Sequence, residues 1–303
     1  VELIFGGDVM LSRQVNTKIV KNNNYSWPFL KIADFLKSAD YTVVNLESPF
    51  SISEDYTVLT GSFLFKANPK AIEGLIHSGV DLVSLANNHT LNQGGKGLAS
   101  TFKVLSDQGI KYIGAGNNKE EAHQGEIVIM NNQKFGFLAY AYPDDGTVAG
   151  ENSPGIANMN LEEMRSDIKR LKEQSAVVIV MMHAGTEYTR KPNQQQIVFA
   201  RGAIDAGAEA VIGHHPHWAQ TFELYKDKPI IYSLGNLIFD QMWSQETRLG
   251  SLVKMTWQDG WEKIELSPIK IYDYGQAEII PDGVERKEIL KRIGAPENGV
   301  IKE

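Results

Sequence analysis

The chain has 303 residues, of which 42% are hydrophobic and 22% charged, so it can bury a full core, and one large domain is the first expectation. The formal net charge of −7 comes without the basic footprint that phosphate backbones require, which argues against nucleic acid as a partner. Because the chain has no cysteine, disulfides and thiolate metal sites are excluded, and a metal would need His nitrogens and carboxylate or amide oxygens.

Short apolar runs alternate with helical patterns along most of the chain. The strand-like runs cover residues 3–5, 41–44, 82–85, 176–182, 210–212 and 230–234. The helical patterns cover residues 27–37, 69–77, 97–108, 161–173 and 194–206. This alternation predicts an α/β fold with largely parallel strand pairing.

The pattern changes after residue 250. Alternating runs on both sides of Asp259-Gly260 predict an antiparallel hairpin, and residues 284–303 predict a short helix and a charged tail. We therefore expect one domain over residues 1–303, with a catalytic core over about residues 3–240 and the antiparallel strands and tail over residues 251–303. No apolar stretch approaches the roughly 20 residues that cross a bilayer.

Candidate metal ligands follow five of the strand-like runs. They are Asp8, Glu47, Asn88 with His89, His183, and the group His214, His215 and His217. In open α/β sheets ligands bind beyond the carboxyl ends of the strands, where side chains from several strands converge. Five of the seven histidines lie in these motifs, whereas His77 and His123 are expected on helix or loop surface.

Each of these residues has a simpler explanation when it is taken alone. A single Asp or Asn after a strand is usually a turn or a helix cap, and His183 fits a hydrogen-bonded core histidine equally well. The group at 214–217 is different, because three imidazoles within four residues repel one another when protonated, and a metal favours their neutral form. The complete set therefore favours a metal site over a purely structural role.

The ordered motifs Gly7-Asp8, Asn45-Leu46-Glu47, Asn88-His89, His183 and His215-Pro216-His217 resemble those of the calcineurin-like metallophosphoesterases. Arg13, Asn236 and Asp240 extend the resemblance to one branch, the CapA-like poly-γ-glutamate capsule synthesis proteins, over roughly residues 3–240. The fold that this resemblance implies is a sandwich of two mixed β-sheets packed face to face, with helices outside.

The resemblance also implies a role for each motif. Two divalent metal ions, Mn, Fe or Zn, would bind at the sheet edge. Asp8 and His217 would hold the first ion, Glu47 would bridge, Asn88, His183 and His215 would hold the second, and His89 would act as general acid. A bridging carboxylate can hold two cations about 3.5–4 Å apart, and their joint charge acidifies a bridging water.

Four further residues have open roles. His214 is ambiguous as a ligand, because its register differs by one residue from that of His215. Arg13 is either a clamp for phosphate or polyglutamate carboxylates or a solvated surface arginine. Asn236 and Asp240 end a strand-like run and are expected to support the ligands.

Two positions depart from the general phosphoesterase pattern. Met10 stands where that pattern has a histidine, and a thioether is a poor ligand for hard cations, so the first ion is expected to bind weakly. Glu47 stands where an aspartate usually bridges the two metal ions. Because its side chain is one methylene longer, the distance between the ions that it could bridge is left open.

The expected function is metal-dependent hydrolysis, and the resemblance implies that it acts in the biosynthesis, processing or export of poly-γ-glutamate or a related bacterial cell-surface polymer. One alternative, motivated by Met10, is a non-hydrolytic accessory protein that binds the anionic polymer or membrane synthase subunits. A second is a general phosphoesterase. The resemblance also implies a location at the extracellular face of the cell membrane, because capsule proteins of this branch are typically anchored there. The chain starts at Val1 inside a strand-like run without an initiator Met, which leaves room for preceding residues to hold such an anchor.

Overall fold

The structure, a computed structural model, describes residues 1–53, 56, 62–142, 147–174 and 177–302. Its strands are β1 (Glu2–Val9), β2 (Tyr41–Leu46), β3 (Leu82–Ser84), β4 (Lys111–Ile113), β5 (Ala115–Gly116), β6 (Glu126–Met130), β7 (Gln133–Ala141), β8 (Gly155–Ile156), β9 (Val177–His183), β10 (Ala210–His214), β11 (Phe222–Tyr225), β12 (Lys228–Ile231), β13 (Asn236–Ile238), β14 (Leu249–Trp257), β15 (Trp261–Tyr272), β16 (Gln276–Ile279) and β17 (Val300–Lys302).

The helices are α1 (Arg13–Asn22), α2 (Ala33–Leu36), α3 (Ile72–His77), α4 (Gly94–Asp107), α5 (Lys119–His123), α6 (Leu161–Lys172), α7 (Gln194–Ala206) and α8 (Val284–Arg292). Short 3-10 turns cover Trp27–Phe29, Pro69–Ala71 and Glu246–Arg248. Within the described ranges, no helix combines the length and the apolar character that crossing a bilayer requires.

Two mixed sheets form the fold. The nine-stranded sheet has the order β16-β15-β14-β1-β2-β3-β4, with β13 paired to β1 and β17 to β15. The six-stranded sheet has the order β11-β12-β10-β9-β7-β6, and β5 pairs with β8 separately. Strands β1 to β4 are parallel to one another, as are β7, β9, β10 and β12. The predicted α/β sandwich is thereby confirmed, whereas its organisation as a single domain stays a prediction.

Strand β9 shows how the layers are filled. Its side chains alternate between two buried clusters, because successive residues of a strand point to opposite faces of the sheet. Ile179 and Met181 join the cluster that contains the core residues of β1 and β2. Val180 and Met182 join a second cluster with the apolar residues of α6 and α7. One core therefore lies between the sheets, and the other lies under the two helices.

The predicted strands and helices correspond closely to the observed ones. Each predicted strand overlaps an observed strand, although residue 176 lies outside the described residues. The predicted helix at 194–206 coincides with α7, which begins with reciprocal Asn193 and Gln196 hydrogen bonds and ends at Gly207 with φ of 109°. The Asp259-Gly260 turn joins the antiparallel strands β14 and β15, as predicted.

Several elements differ from the predictions. The helix predicted over residues 27–37 is a 3-10 turn containing Pro28 followed by the four-residue helix α2. Helix α1 was not predicted, nor was β17 in the charged tail, which pairs with Ile264 and Glu265 of β15. The β6–β7 hairpin was also missed. Long-range pairing decides such short elements, and local sequence carries little of it.

His123 is buried, which corrects the expectation that it lies on the surface. Its Nδ1 lies 2.7 Å from a carboxylate oxygen of Asp167, and the Tyr140 hydroxyl donates to the same oxygen at 2.8 Å. Helix α5 therefore turns its last residue toward α6 and β7.

Strand β1 places the first candidate ligand between two parallel neighbours. Asp8 pairs in register with Asn45 of β2 on one side and with Asn236 of β13 on the other. The preceding Gly7 allows this approach, because a Cβ built there would lie 1.9 Å from the carbonyl oxygen of Gly235.

We expect Gly7→Ala to destabilise the protein by roughly 1–3 kcal/mol, or about 2–10 °C in melting temperature, because β1 and β13 must separate to admit the methyl group. Gly95→Ala is the control, because Gly95 lies inside α4. Its new Cβ would meet a Pro154 ring carbon at 3.1 Å, whereas that of Gly7→Ala would meet a backbone oxygen at 1.9 Å. Thermal unfolding followed by circular dichroism measures both. Equal stability of Gly7→Ala and the wild type would contradict the close pairing of β1 and β13.

Candidate metal centre

Ligand atoms from Asp8, Glu47 and His183 lie within 4.8 Å of one another. Asp8 lies near the end of β1, Glu47 directly follows β2, and His183 is the last residue of β9. All three residues are buried, with at most 3% of their surface exposed. The two sheets thus bring their carboxyl strand ends to one place, as the sequence predicted.

The amide of Asn45 lies at the middle of this cluster. Its Nδ2 is 2.8 Å from Asp8 Oδ1, 3.3 Å from His183 Nδ1 and 3.5 Å from Glu47 Oε2. Its Oδ1 accepts a hydrogen bond of 3.1 Å from Asn87 Nδ2, which fixes the orientation of the amide. Asn45 was part of a sequence motif but had no predicted role. The available signal was a polar residue inside a strand that is otherwise apolar after Thr42.

Glu47 has an unsatisfied carboxylate oxygen. No described residue forms a hydrogen bond to its buried Oε1, which lies 3.6 Å from His89 Nε2 and 3.9 Å from His217 Nε2. Burial raises the pKa of Glu47 well above its usual value, and the negative charges of Asp8 and Glu187 raise it further. Ionised Glu47 therefore needs a positive charge beside it.

Asp8 is held ionised by its neighbours. Burial works to raise its pKa, but the hydrogen bond and charge of His217, together with His214 and Asn45, keep that pKa below the usual value. The backbone N–H of His215 also donates to Asp8 Oδ2 at 3.3 Å. Asp8 and Glu47 thus form a buried pair with opposite pKa shifts.

The histidines of the cluster are neutral bases. Burial lowers the pKa of His183 well below its usual value and that of His215 to about 4. Within the described residues His215 Nδ1 is buried without a hydrogen-bond partner. His183 Nε2 donates to Asn88 Oδ1 at 3.0 Å, and its ring lies 4.7 Å from that of His215. Neutral imidazole is the form that binds a metal.

Two histidines in the loop after β10, His215 and His217, have an unusual backbone conformation. His215 and His217 have φ of 97° and 57°, which non-glycine residues seldom adopt. His217 Nδ1 donates to Asn236 Oδ1 at 2.9 Å, and its Nε2 lies 3.9 Å from Glu47 Oε1. His214, in contrast, places Nε2 3.0 Å from the Gly6 carbonyl oxygen and so donates to the backbone of β1.

His89 lies beside Glu47 and against an aromatic ring. Its Nδ1 donates to Asn92 Oδ1 at 2.9 Å, and its Nε2 is 3.3 Å from Asn88 Nδ2. The Phe65 ring lies 3.9 Å from the imidazole, centroid to centroid. Burial lowers the pKa of His89 to about 4, so Nε2 carries a lone pair at neutral pH.

Tyr188 and Gln241, which no sequence pattern indicated, close a ring of contacts around His217. Asn236 Nδ2 donates to Gln241 Oε1 at 3.1 Å, and Gln241 Nε2 donates to the Tyr188 hydroxyl at 3.3 Å. The Tyr188 ring stacks on His217 at 5.9 Å, and the exposed Trp243 packs its edge against Tyr188. Asn236 thus contacts the candidate ligand His217 directly.

Arg13 and Asp240 form a buried ion pair close to His217, with Phe239 between them. The pairing rules out a solvated surface role for Arg13. Met10 is also buried, and its sulfur accepts the backbone N–H of Ser12 at 3.1 Å.

The cluster fits divalent cations. Two buried carboxylates, one of them with an orphaned oxygen, lie among neutral imidazoles that include an orphaned nitrogen. Carboxylate and amide oxygens with imidazole nitrogens suit Mn, Fe or Zn, and the donor types do not select among these ions.

A sandwich of two mixed sheets with this set of ligands at its strand ends defines a metallophosphoesterase-like protein. The chain belongs to the family described as "Bacterial capsule synthesis protein PGA_cap", whose sequence model matches residues 2–241. The predicted resemblance is thereby confirmed.

Known proteins are similar along most of the chain. The capsule biosynthesis protein CapA of Bacillus anthracis is 29% identical over 297 residues, covering 95% of this chain and 71% of that protein. The PGA biosynthesis protein CapA of Bacillus subtilis (strain 168) is 28% identical, covering 97% and 78%. The structure of a 5'-nucleotidase precursor from Thermus thermophilus matches with a TM-score of 0.54 at 11% identity, covering 96% of this chain and 57% of that one. The last likeness concerns the fold alone.

We expect His215→Ala to lower the metal content of purified protein after Mn or Zn loading, because it removes a neutral imidazole beside His183. His214→Gln should retain the wild-type content, since Gln keeps a donor for the Gly6 carbonyl. Elemental analysis after gel filtration measures both. Equal losses in the two variants would contradict the assignment of His214 to the backbone.

We expect the metal-free protein to lose stability as the pH falls from about 6.5 toward 4. Burial lowers the pKa of His89, His183, His214 and His215, so the unfolded chain binds protons first, and stability present above pH 6.5 is lost below it. The raised pKa values of Glu47 and Asp81 act in the opposite direction, but two carboxyls oppose four histidines.

Melting temperatures in a chelator between pH 4.5 and 7.5 test this expectation. His215→Asn should flatten the dependence, and His77→Asn, a change at a half-buried residue of α3, should leave it unchanged. A melting temperature that stays constant from pH 6.5 to 4.5 would show that the histidines are not held neutral by the fold.

Proposed function

We propose that this protein is a metal-dependent hydrolase that acts on poly-γ-glutamate or a related anionic polymer during capsule synthesis. The observation that carries the proposal is the buried, uncompensated Glu47 carboxylate among neutral histidines. Membership in the capsule synthesis family and the names of the Bacillus relatives support the choice of polymer.

In this proposal the chain binds two divalent ions. Asp8 and His217 would hold the first, Asn88, His183 and His215 would hold the second, and Glu47 would contribute its carboxylate to both. When bound, such ions supply Lewis acidity and lower the pKa of a coordinated water. Neutral Asn88 adds a ligand without negative charge, so the loaded centre stays cationic and attracts an anionic substrate.

His89 moves the proton. Its Nδ1–H is fixed by Asn92, and its lowered pKa leaves Nε2 free to accept a proton from the reacting groups. Protonated His89 then donates from Nε2 to the leaving group, so one imidazole serves as base and acid in turn.

The proposal includes a location and partners. We place the protein at the extracellular face of the cell membrane, where a capsule polymer is exported. Membrane subunits of the polymer synthase are the proposed protein partners, and the relatives named for capsule and PGA biosynthesis support association with such machinery.

A non-hydrolytic accessory role is the second candidate. The buried Met10, whose sulfur is engaged by Ser12, favours it because the half of the cluster assigned to the first ion lacks the usual histidine. In this case the protein would bind polymer without cleaving it.

We expect the Mn- or Zn-loaded protein to shorten poly-γ-glutamate, and Glu47→Gln or His215→Ala to lower the rate by at least about 100-fold, because each removes a metal ligand. Polymer length by size-exclusion chromatography is the measurement, with His77→Asn as control. Polymer binding without cleavage would favour the accessory role, and turnover of small phosphate esters alone would favour a general phosphoesterase.

A further inference from the structure

We infer that Arg13 is a positioning residue that sets the orientation of His89 and His217 through two phenylalanine rings, and that it is not a clamp for the substrate anion. The inference deepens the proposed function and rests on it for the roles of the two histidines.

The guanidinium of Arg13 is neutralised inside the protein. Only 7% of its side chain and 4% of that of Asp240 are exposed. Nη2 donates to Asp240 Oδ1, and Nη1 donates to the carbonyl oxygen of Ser62 at 3.0 Å. The second oxygen of Asp240 accepts the backbone N–H of Gln14 at 3.0 Å. A substrate anion would have to displace a buried carboxylate to reach this group, and breaking such a pair is costly.

Two aromatic rings pack against the guanidinium, and each touches a different histidine. The Arg13 Cζ lies 4.8 Å from the centroid of Phe65 and 5.5 Å from that of Phe239. Phe65 packs on His89 at 3.9 Å, and Phe239 meets His217 at 4.8 Å with the rings inclined by 61°. One planar cation thereby supports both histidines through stacking that a lysine cannot reproduce.

Hydrogen bonds to Asn92 hold Phe65 and His89 in this arrangement. Phe65 N–H donates to Asn92 Oδ1 at 2.7 Å, and the same oxygen accepts from His89 Nδ1. Arg13 itself has φ of 47°, in the left-handed region that costs a non-glycine residue energy. Arg13 therefore ties together the segments that follow β1, β2 and β13.

The kinetic test compares Arg13→Lys, which keeps the charge and loses the planar fork, with the wild type. A positioning role predicts a roughly tenfold lower kcat with KM for poly-γ-glutamate within about twofold. A raised KM with unchanged kcat would overturn the inference in favour of the clamp. Arg201→Lys is the control, because Arg201 pairs bidentately with Glu223 on the surface.

A second readout does not depend on hydrolysis. We expect Arg13→Lys to shift the imidazole ¹⁵N resonances of both His89 and His217 in metal-free protein. Phe65→Leu should shift mainly His89, and Phe239→Leu mainly His217, whereas His77 should not move in any variant. Unchanged resonances of both site histidines in folded Arg13→Lys would overturn the inference. If the wild type hydrolyses nothing, the proposed function fails, and these spectra still decide the role of Arg13.

Discussion

The structure around the site depends on the burial of two carboxylates, Asp8 and Glu47, in one cluster. Removing an ionised carboxylate from water costs several kcal/mol unless partners replace the lost hydration. Asp8 has such partners in Asn45, His217 and the His215 amide, whereas Glu47 keeps an oxygen that no described residue satisfies. The fold therefore buries at its strand ends a carboxyl group whose ionised form has no full set of partners, so a bound cation would stabilise both that ionised form and the folded chain.

The sheet pairings create this concentration. Parallel strands β2 and β13 flank β1, so the amides of Asn45 and Asn236 lie in register on both sides of Asp8. In the other sheet His183 is in register with His214, whose imidazole then bonds to the β1 backbone and joins the two sheets. The histidines that follow reach the carboxylates only because the chain turns with positive φ.

The ends of buried strands were predictable from sequence because the apolar runs and the polar residues that follow them are local patterns. Asp8, Glu47, His183 and the 214–217 group were found in this way, and the structure brings them together. Asn45, Tyr188, Gln241 and Phe65 were not assigned roles, because an amide inside a strand or an aromatic residue in a loop acquires its role only from tertiary contacts. Whether His214 is a metal ligand was also undecided from sequence, because its position along the chain does not show that its imidazole points to the Gly6 carbonyl.

The two halves of the cluster are built differently. His183 ends β9 and donates a hydrogen bond to Asn88, in the loop that follows β3. The half that contains His217 depends on β13 and the residues after it, where Asn236, Phe239 and Gln241 support its imidazole directly or through Tyr188. The resemblance assigns Met10 to the same half, and its sulfur is engaged by the backbone of Ser12. Substitutions in β13 and in the segment after it should therefore act on His217 rather than on His183, which ends a strand of the other sheet.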